Sequence, residues 1–176
     1  YDGWDNFDWV DVSGSPHKGP AEGDEVTLTG TIEEYYNLTE LTSVSSGVVH
    51  GASDEMIAPS LIPVIDMGEA YEGCLVAFGN VTVSNSDLGY GEWEFSNADG
   101  SARVDDKWDY YYFPQEGHEI AYIEGVVDYS FSNYKLQPRL ARDVVEQGTT
   151  RIQRVQQVLY SDLMKAGEDA ASDTSY

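Results

Sequence analysis

Apolar and polar residues alternate in short, separated stretches along most of the second half of the chain. Leu75 to Ser84 (LVAFGNVTVS) ends in alternating β-branched residues, which is the period of a strand with one buried face. Glu92 to Phe95 alternates carboxylate with aromatic, and Ala102 to Asp105 repeats the alternation. Asn97-Ala98-Asp99-Gly100 between them is hairpin chemistry, because Asp and Gly tolerate the positive φ of a tight turn. Glu119 to Phe131 predicts a long strand interrupted at Gly125, where a missing side chain permits a bulge or sharp coiling. Tyr134 to Leu140 predicts a last strand, with Pro138 limiting its end to an edge. Only the tail changes period. Ile152, Val155, Leu159 and Leu163 form one helical stripe behind a capping box at Thr150, and Lys165 and Gly167 suit its last turn and stop.

A repeat underlies this pattern. Gly23-Asp24-Glu25-Val26 matches Gly117-His118-Glu119-Ile120 at an offset of 94, and Gly30 matches Gly125 at 95 after a one-residue insertion. Val10-Asp11 falls on Val104-Asp105, Pro20 on Pro114 and Leu41 on Leu136. Only the second copy is preceded by a complete run of strands. The chain divides on this reading into 1–52, the second half of an incomplete barrel, 53–70, a linker, 71–147, a complete barrel, and 148–176, a helix with an acidic tail. Five short, strongly bent antiparallel strands describe an all-β, OB-like five-stranded Greek-key barrel with one C-terminal α-helix; an open sandwich is the alternative. Half a barrel leaves unpaired edges, so its missing strands are expected from a neighbour by strand addition.

The residues that carry these matches also resemble a family. Gly23 to Leu41, Tyr71 to Val83, Gly91 to Trp93, Val104 to Asp106 and Gly125 to Arg139 are similar to OB-like domains found in tandem on large secreted bacterial and archaeal proteins, often attached to extracellular nuclease or lamin-tail modules. The resemblance implies an OB-like fold and a tandem setting. It carries over no catalytic residue.

Composition sharpens the choice of function. Nine Lys+Arg against 32 Asp+Glu give a formal charge of −23, which repels phosphate backbones and anionic membranes. Nucleic acid is therefore disfavoured as a partner unless cations bridge to it, and no apolar run reaches the roughly 20 residues of a spanning helix. Such an excess of carboxylates suits a salt-rich or calcium-rich medium outside the cell. A chain opening on Tyr1 reads as a processed product or a piece of something longer. Asn37-Leu38-Thr39 and Asn80-Val81-Thr82 match the N-glycosylation acceptor pattern, again an extracellular signal. Cys74, the single cysteine, lies at the start of an apolar run and is expected to be buried and inert.

Candidate chemistry is thin. Asp2, Asp5, Asp8 and Asp11 recur every third residue, a period of neither helix nor strand, and read as solvated. Asp99, Asp105 and Asp106 flank the predicted hairpin and are the candidates for a Ca²⁺ site, the one cofactor the composition suggests. Thirteen Tyr and four Trp supply apolar area, and Trp4, Trp9, Trp93, Trp108, Tyr111, Tyr129 and Tyr134 are the candidates for ligand stacking or an interface, against the plainer reading of a core. Paired carboxylates could in principle serve glycoside hydrolysis, but nothing singles out a pair. The expected function is a non-enzymatic extracellular structural module, a subunit of a surface filament or tandem array that meets copies of itself or neighbouring domains. The alternative is an accessory domain that binds nucleic acid or glycan for a secreted nuclease or hydrolase.

Overall fold

The computed structural model describes residues 8–54, 57–108 and 110–148, and divides into two compact units, residues 1–58 and 59–176. The expected helix after Thr150, the acidic tail and Trp4 lie outside the described residues.

The second unit is a closed five-strand barrel. Its strands are β6 (Leu75–Gly89), β7 (Glu92–Asn97), β8 (Gly100–Val104), β9 (Glu119–Ser130) and β10 (Asn133–Gln137). β6 pairs with β7, β7 with β8, β8 with β10, β10 with β9 and β9 back with β6. Every contact in that ring is antiparallel except β8 with β10, which is parallel, as in an OB-like barrel. Closure requires β6 to serve two neighbours along one strand. Its first half follows β9 from Leu75↔Val126 to Thr82↔Glu119, and its second half turns onto β7 through two register shifts. Gly125 allows β10 to cross β9 closely: a Cβ there would lie 2.6 Å from the Gln137 carbonyl oxygen. β10 stops at Gln137 because Pro138 brings no N–H to continue the ladder.

The alternating residues converge inside. Val76, Phe78, Val81, Val83, Trp93, Phe95, Val104, Ile120, Ile123, Val127 and Leu136 fill the barrel. Residues 60–70, expected as part of a linker, are built onto it instead. β5 (Ser60–Leu61) pairs parallel with β6, and Ile62 and Val64 join the core. Apolar residues in a polar-flanked stretch mark this segment as core only once β6 is seen to expose its first residues to it. A further short strand, β11 (Val144–Glu146), runs beside β9. The buried Asp143 carboxylate holds the turn into it by accepting from the Arg139 and Leu140 backbone N–H groups and the Arg139 side chain.

The first unit is a single four-stranded sheet in the order β2-β1-β4-β3, built from β1 (Trp9–Asp11), β2 (Pro16–His17), β3 (Asp24–Tyr35) and β4 (Leu38–Ala52). The repeat is visible in its geometry. The β3–β4 hairpin turns through Tyr36 and Asn37, both at positive φ, as β9–β10 turns through Phe131 and Ser132, their matches at offset 95. A Cβ on Gly30 would lie 2.9 Å from the Thr42 carbonyl oxygen, the counterpart of Gly125 over Gln137. β1 runs parallel to β4 as β8 does to β10. The register differs, however: Val104 faces Leu136, but Val10 faces Val48 rather than Leu41. β4 continues past Thr42 along β3 for its whole length, and β1 has moved seven positions along it (48 against 41). Asp11 is not simply solvated either. Its Oδ1 accepts from Ser13 N, Ser13 Oγ and Ser15 N, closing the β1–β2 turn, and chiefly the Ser13 hydroxyl bond holds its carboxyl below the usual range.

Candidate functional site

The open sheet is where the two copies of the repeat diverge physically. In the barrel, β9 carries β10 and β11 on one edge and β6 on the other. In the first unit, β3 carries β4 on the edge corresponding to β10 and β11, and among the described residues nothing pairs with its other edge. β4 also lacks a β1 partner beside Leu38–Ser46, since β1 covers only Gly47 to Val49. The apolar side of this sheet is uncovered to match. Ile32 is 73% exposed where its counterpart Val127 is 1% exposed, and Leu41 is 43% exposed where Leu136 is fully buried. Val26 and Leu28 are half-buried, whereas Ile120 and Ile123 are inaccessible.

β3 is also an edge of an unusual kind. It is 12 residues long, about 40 Å at the usual strand rise, and between Glu25 and Glu33 the run VTLTGTI contains no charge. Proteins ordinarily blunt an exposed edge with short length, charge or proline. Here the carboxylates stand only at the ends.

The predicted aromatic site separates into unlike parts. Trp93 is a core residue rather than a stacking platform. Its indole N–H donates to Tyr110 Oη at 2.6 Å, and its ring packs on Phe95 and Tyr112. Trp9 is likewise buried, in the first unit beside Gly19. The rings of Tyr129 and Tyr134 pack at a 52° tilt with centroids 4.7 Å apart and are half-buried, with the Tyr134 hydroxyl donating to Glu69; that bond raises the Tyr134 pKa to about 12. Trp108 is exposed beneath Lys107, whose ammonium sits 5.8 Å from the ring centroid. Tyr111 lines a cleft of about 400 Å³ together with Trp93, Tyr110, Tyr112 and Phe113 and the carboxylates Asp87, Glu92 and Asp106. Among the described residues that lining contains no cation. Two residues the sequence reading passed over are the most exposed aromatics of the barrel, Tyr90 in the β6–β7 turn and Phe131 in the β9–β10 turn. Their signal was their place in turns rather than strands.

The carboxylates proposed for Ca²⁺ are not brought together. Asp99 lies in the β7–β8 turn, and Asp105 and Asp106 follow the far end of β8, roughly 17 Å away at 3.3 Å per residue. Asp105 is engaged by Lys135 Nζ at 3.1 Å and by Gln137, while Asp106 packs against Gly91, where a Cβ would lie 2.1 Å from its Oδ2. Among the described residues no group of three or more His, Cys, Asp or Glu side chains is placed to hold a metal ion. The cations near the aromatics are equally committed. Lys135 bridges Glu92 and Asp105, Arg103 pairs with Glu92, Lys107 with Asp128, and Arg139 with Glu124 and Asp143.

Both sequon asparagines are exposed, Asn37 in the β3–β4 turn and Asn80 on β6, each at positive φ, a conformation Asn tolerates better than most residues. Cys74 is exposed, contrary to expectation. The apolar run begins to bury itself only at Leu75, and Cys74 belongs to the turn before it, where its N–H donates to the Tyr71 carbonyl. Among the described residues no helix is long and apolar enough to cross a membrane.

The geometry thus defines an all-β protein with a closed five-strand barrel and a second, open sheet built from the same repeat. Comparison with family models, curated proteins and solved structures yields no match, so the class rests on the fold and this repeat.

Proposed function

We propose that this chain is a non-enzymatic structural and assembly module that works outside the cell, and that its first sheet is completed by a strand from a neighbouring molecule or domain. The barrel is on this reading an OB-like domain, and the open sheet is the second half of another. One observation carries the proposal: the side chains that β9 and β10 bury inside the barrel have counterparts on β3 and β4 that stand uncovered, with Ile32 and Leu41 the extremes. Strand addition would satisfy the free β3 backbone and cover these residues in one step. Exposed sequon asparagines and the −23 charge support an extracellular setting.

Association has to overcome repulsion between copies of that charge. Raising salt from about 0.01 M to about 1 M shortens the screening length from roughly 30 Å to 3 Å, so assembly strengthens with salt, the reverse of binding through cations to nucleic acid. Sedimentation velocity on the full chain is expected to show larger species at high salt and monomer at low salt. Ile32→Asp, a change at an exposed position, is expected to leave the fold intact and suppress the larger species. A monomer under all conditions, or association indifferent to Ile32→Asp, would overturn the proposal.

Tyr90 and Phe131 favour a second reading. They stand in the β6–β7 and β9–β10 turns, which correspond to the two loops OB barrels use for oligonucleotides and oligosaccharides. The paired state of Arg103, Lys107 and Lys135 leaves that face little to offer a phosphate backbone, which makes glycan the better ligand of the two.

A further inference from the structure

We infer that the strand received by β3 is an uncharged strand of the β6 kind, running antiparallel to β3 with the residue equivalent to Val76 opposite Gly30. This rests on the reading of β3 as an open edge and goes on to name what fills it.

The chain contains its own template. β9 meets β6 with Val76 opposite Gly125, Phe78 opposite Ile123 and Val81 opposite Ile120. The repeat transfers the first two positions to Gly30 and Leu28 at offset 95 and the third to Val26 at offset 94, so the received strand carries a one-residue bulge between its equivalents of Phe78 and Val81. Gly30 offers the same cramped crossing as Gly125, since each lies against the carbonyl of its hairpin partner, so the strand has the same place to coil. A partner in this register sets an apolar residue beside Leu28 and, past the bulge, another beside Val26, the half-buried pair that lacks cover.

Charge selects among partners. β3 carries Asp24, Glu25, Glu33 and Glu34 and no cation. Antiparallel pairing of β3 with β3 of a second copy would set the acidic ends against each other, and like charges directly opposite are destabilising. β6 shows how the fold meets this problem: β9 brings Glu119 and Glu124, and residues 75–82 opposite it contain no charged side chain. The chain's own β6 is occupied by β5, β7 and β9, so the complementing strand belongs to a partner in which a segment of this chemistry is free.

A labelled peptide of Leu75–Ser84 tests this against the full-length chain in high salt by fluorescence anisotropy. Saturable binding is expected, with a scrambled peptide of the same composition failing to bind and Ile32→Asp weakening the interaction. N-methylation on alternate residues of the peptide is expected to weaken binding about a hundredfold in one parity, through loss of roughly three backbone hydrogen bonds, and to spare it in the other. Equal binding of the scrambled peptide, or equal loss in both parities, would overturn the inference. So would a peptide that does not bind while the chain associates in an Ile32-dependent way, an outcome that leaves the proposed function standing. A peptide that does not bind and a chain that stays monomeric would remove both.

Discussion

Trp93→Ala is expected to lower the stability of the barrel by about 3–5 kcal/mol, the range for removing a large aromatic side chain from a packed core. The residue is the second of β7, 1% exposed, with Phe95 at 6.2 Å and Tyr112 at 5.5 Å between ring centroids. Truncation empties the volume that the three rings share. It also removes the donor that meets Tyr110 Oη, a hydroxyl that is itself buried. Trp93→Phe separates these effects: it keeps most of the volume and loses the hydrogen bond, so its cost should be nearer 1–2 kcal/mol. Urea unfolding with an unchanged slope reads both values. A cost below about 1 kcal/mol for the alanine variant would place Trp93 at the surface, as a stacking role requires, and would contradict the fold.

Lys135→Ala should cost a similar amount, about 3–5 kcal/mol, for an electrostatic reason. Its ammonium is buried between Glu92, at 2.5 Å, and Asp105, at 3.1 Å, and removing it leaves two poorly solvated carboxylates facing each other across the vacated space. Arg103 would retain a hold on Glu92, and Gln137 on Asp105. Burial by itself would lower the Lys135 pKa, but hydrogen bonds to Glu92 and Asp105 more than offset it, so the pKa is raised. The lysine's contribution is therefore complete below its unfolded value and is lost as pH climbs through the folded one. The phenols of Tyr110, Tyr112 and Tyr122 act in the same direction, raised first by burial, so the folded state holds protons that the unfolded chain releases near pH 10. The urea midpoint should accordingly stay level from about pH 7 to 9 and fall above about 10, less steeply in Lys135→Met. A midpoint that rose with alkali would contradict this assignment of the lysine.

How much of this was written in the sequence can be judged residue by residue. Alternation in Leu75–Ser84 and the break at Gly125 pointed to the strands and to the place where two of them cross. The 94-to-95 offset anticipated the matched hairpin turns at Tyr36-Asn37 and Phe131-Ser132. Periodicity could not place Ile62 and Val64, because their burial depends on β6 and β8, distant in sequence order from any pattern they share. It could not find Lys135 as a buried cation either, since a lysine in an alternating strand ordinarily points to water, and only the carboxylates of β7 and of the residues after β8 make its burial tolerable. The slip of β1 along β4 was also illegible: parallel register is set by the ladder, and Val10 finds a valine at Val48 as readily as a leucine at Leu41. For the candidate site, the repeat pointed to β3 as the counterpart of β9 but not to the exposed side chains that make its unpaired edge consequential.

Completion of the open sheet is the central claim, and hydrogen exchange at β3 tests it most directly. In low salt, where the chain is expected to be monomeric, amides of Val26–Ile32 that face the unpaired edge should exchange rapidly while their alternates, bonded to β4, are protected. Under associating conditions the account predicts that both sets become protected, with the change confined to β3 and its uncovered neighbours on β4. Association that leaves the outward amides of Val26–Ile32 exchanging as fast as before would contradict it.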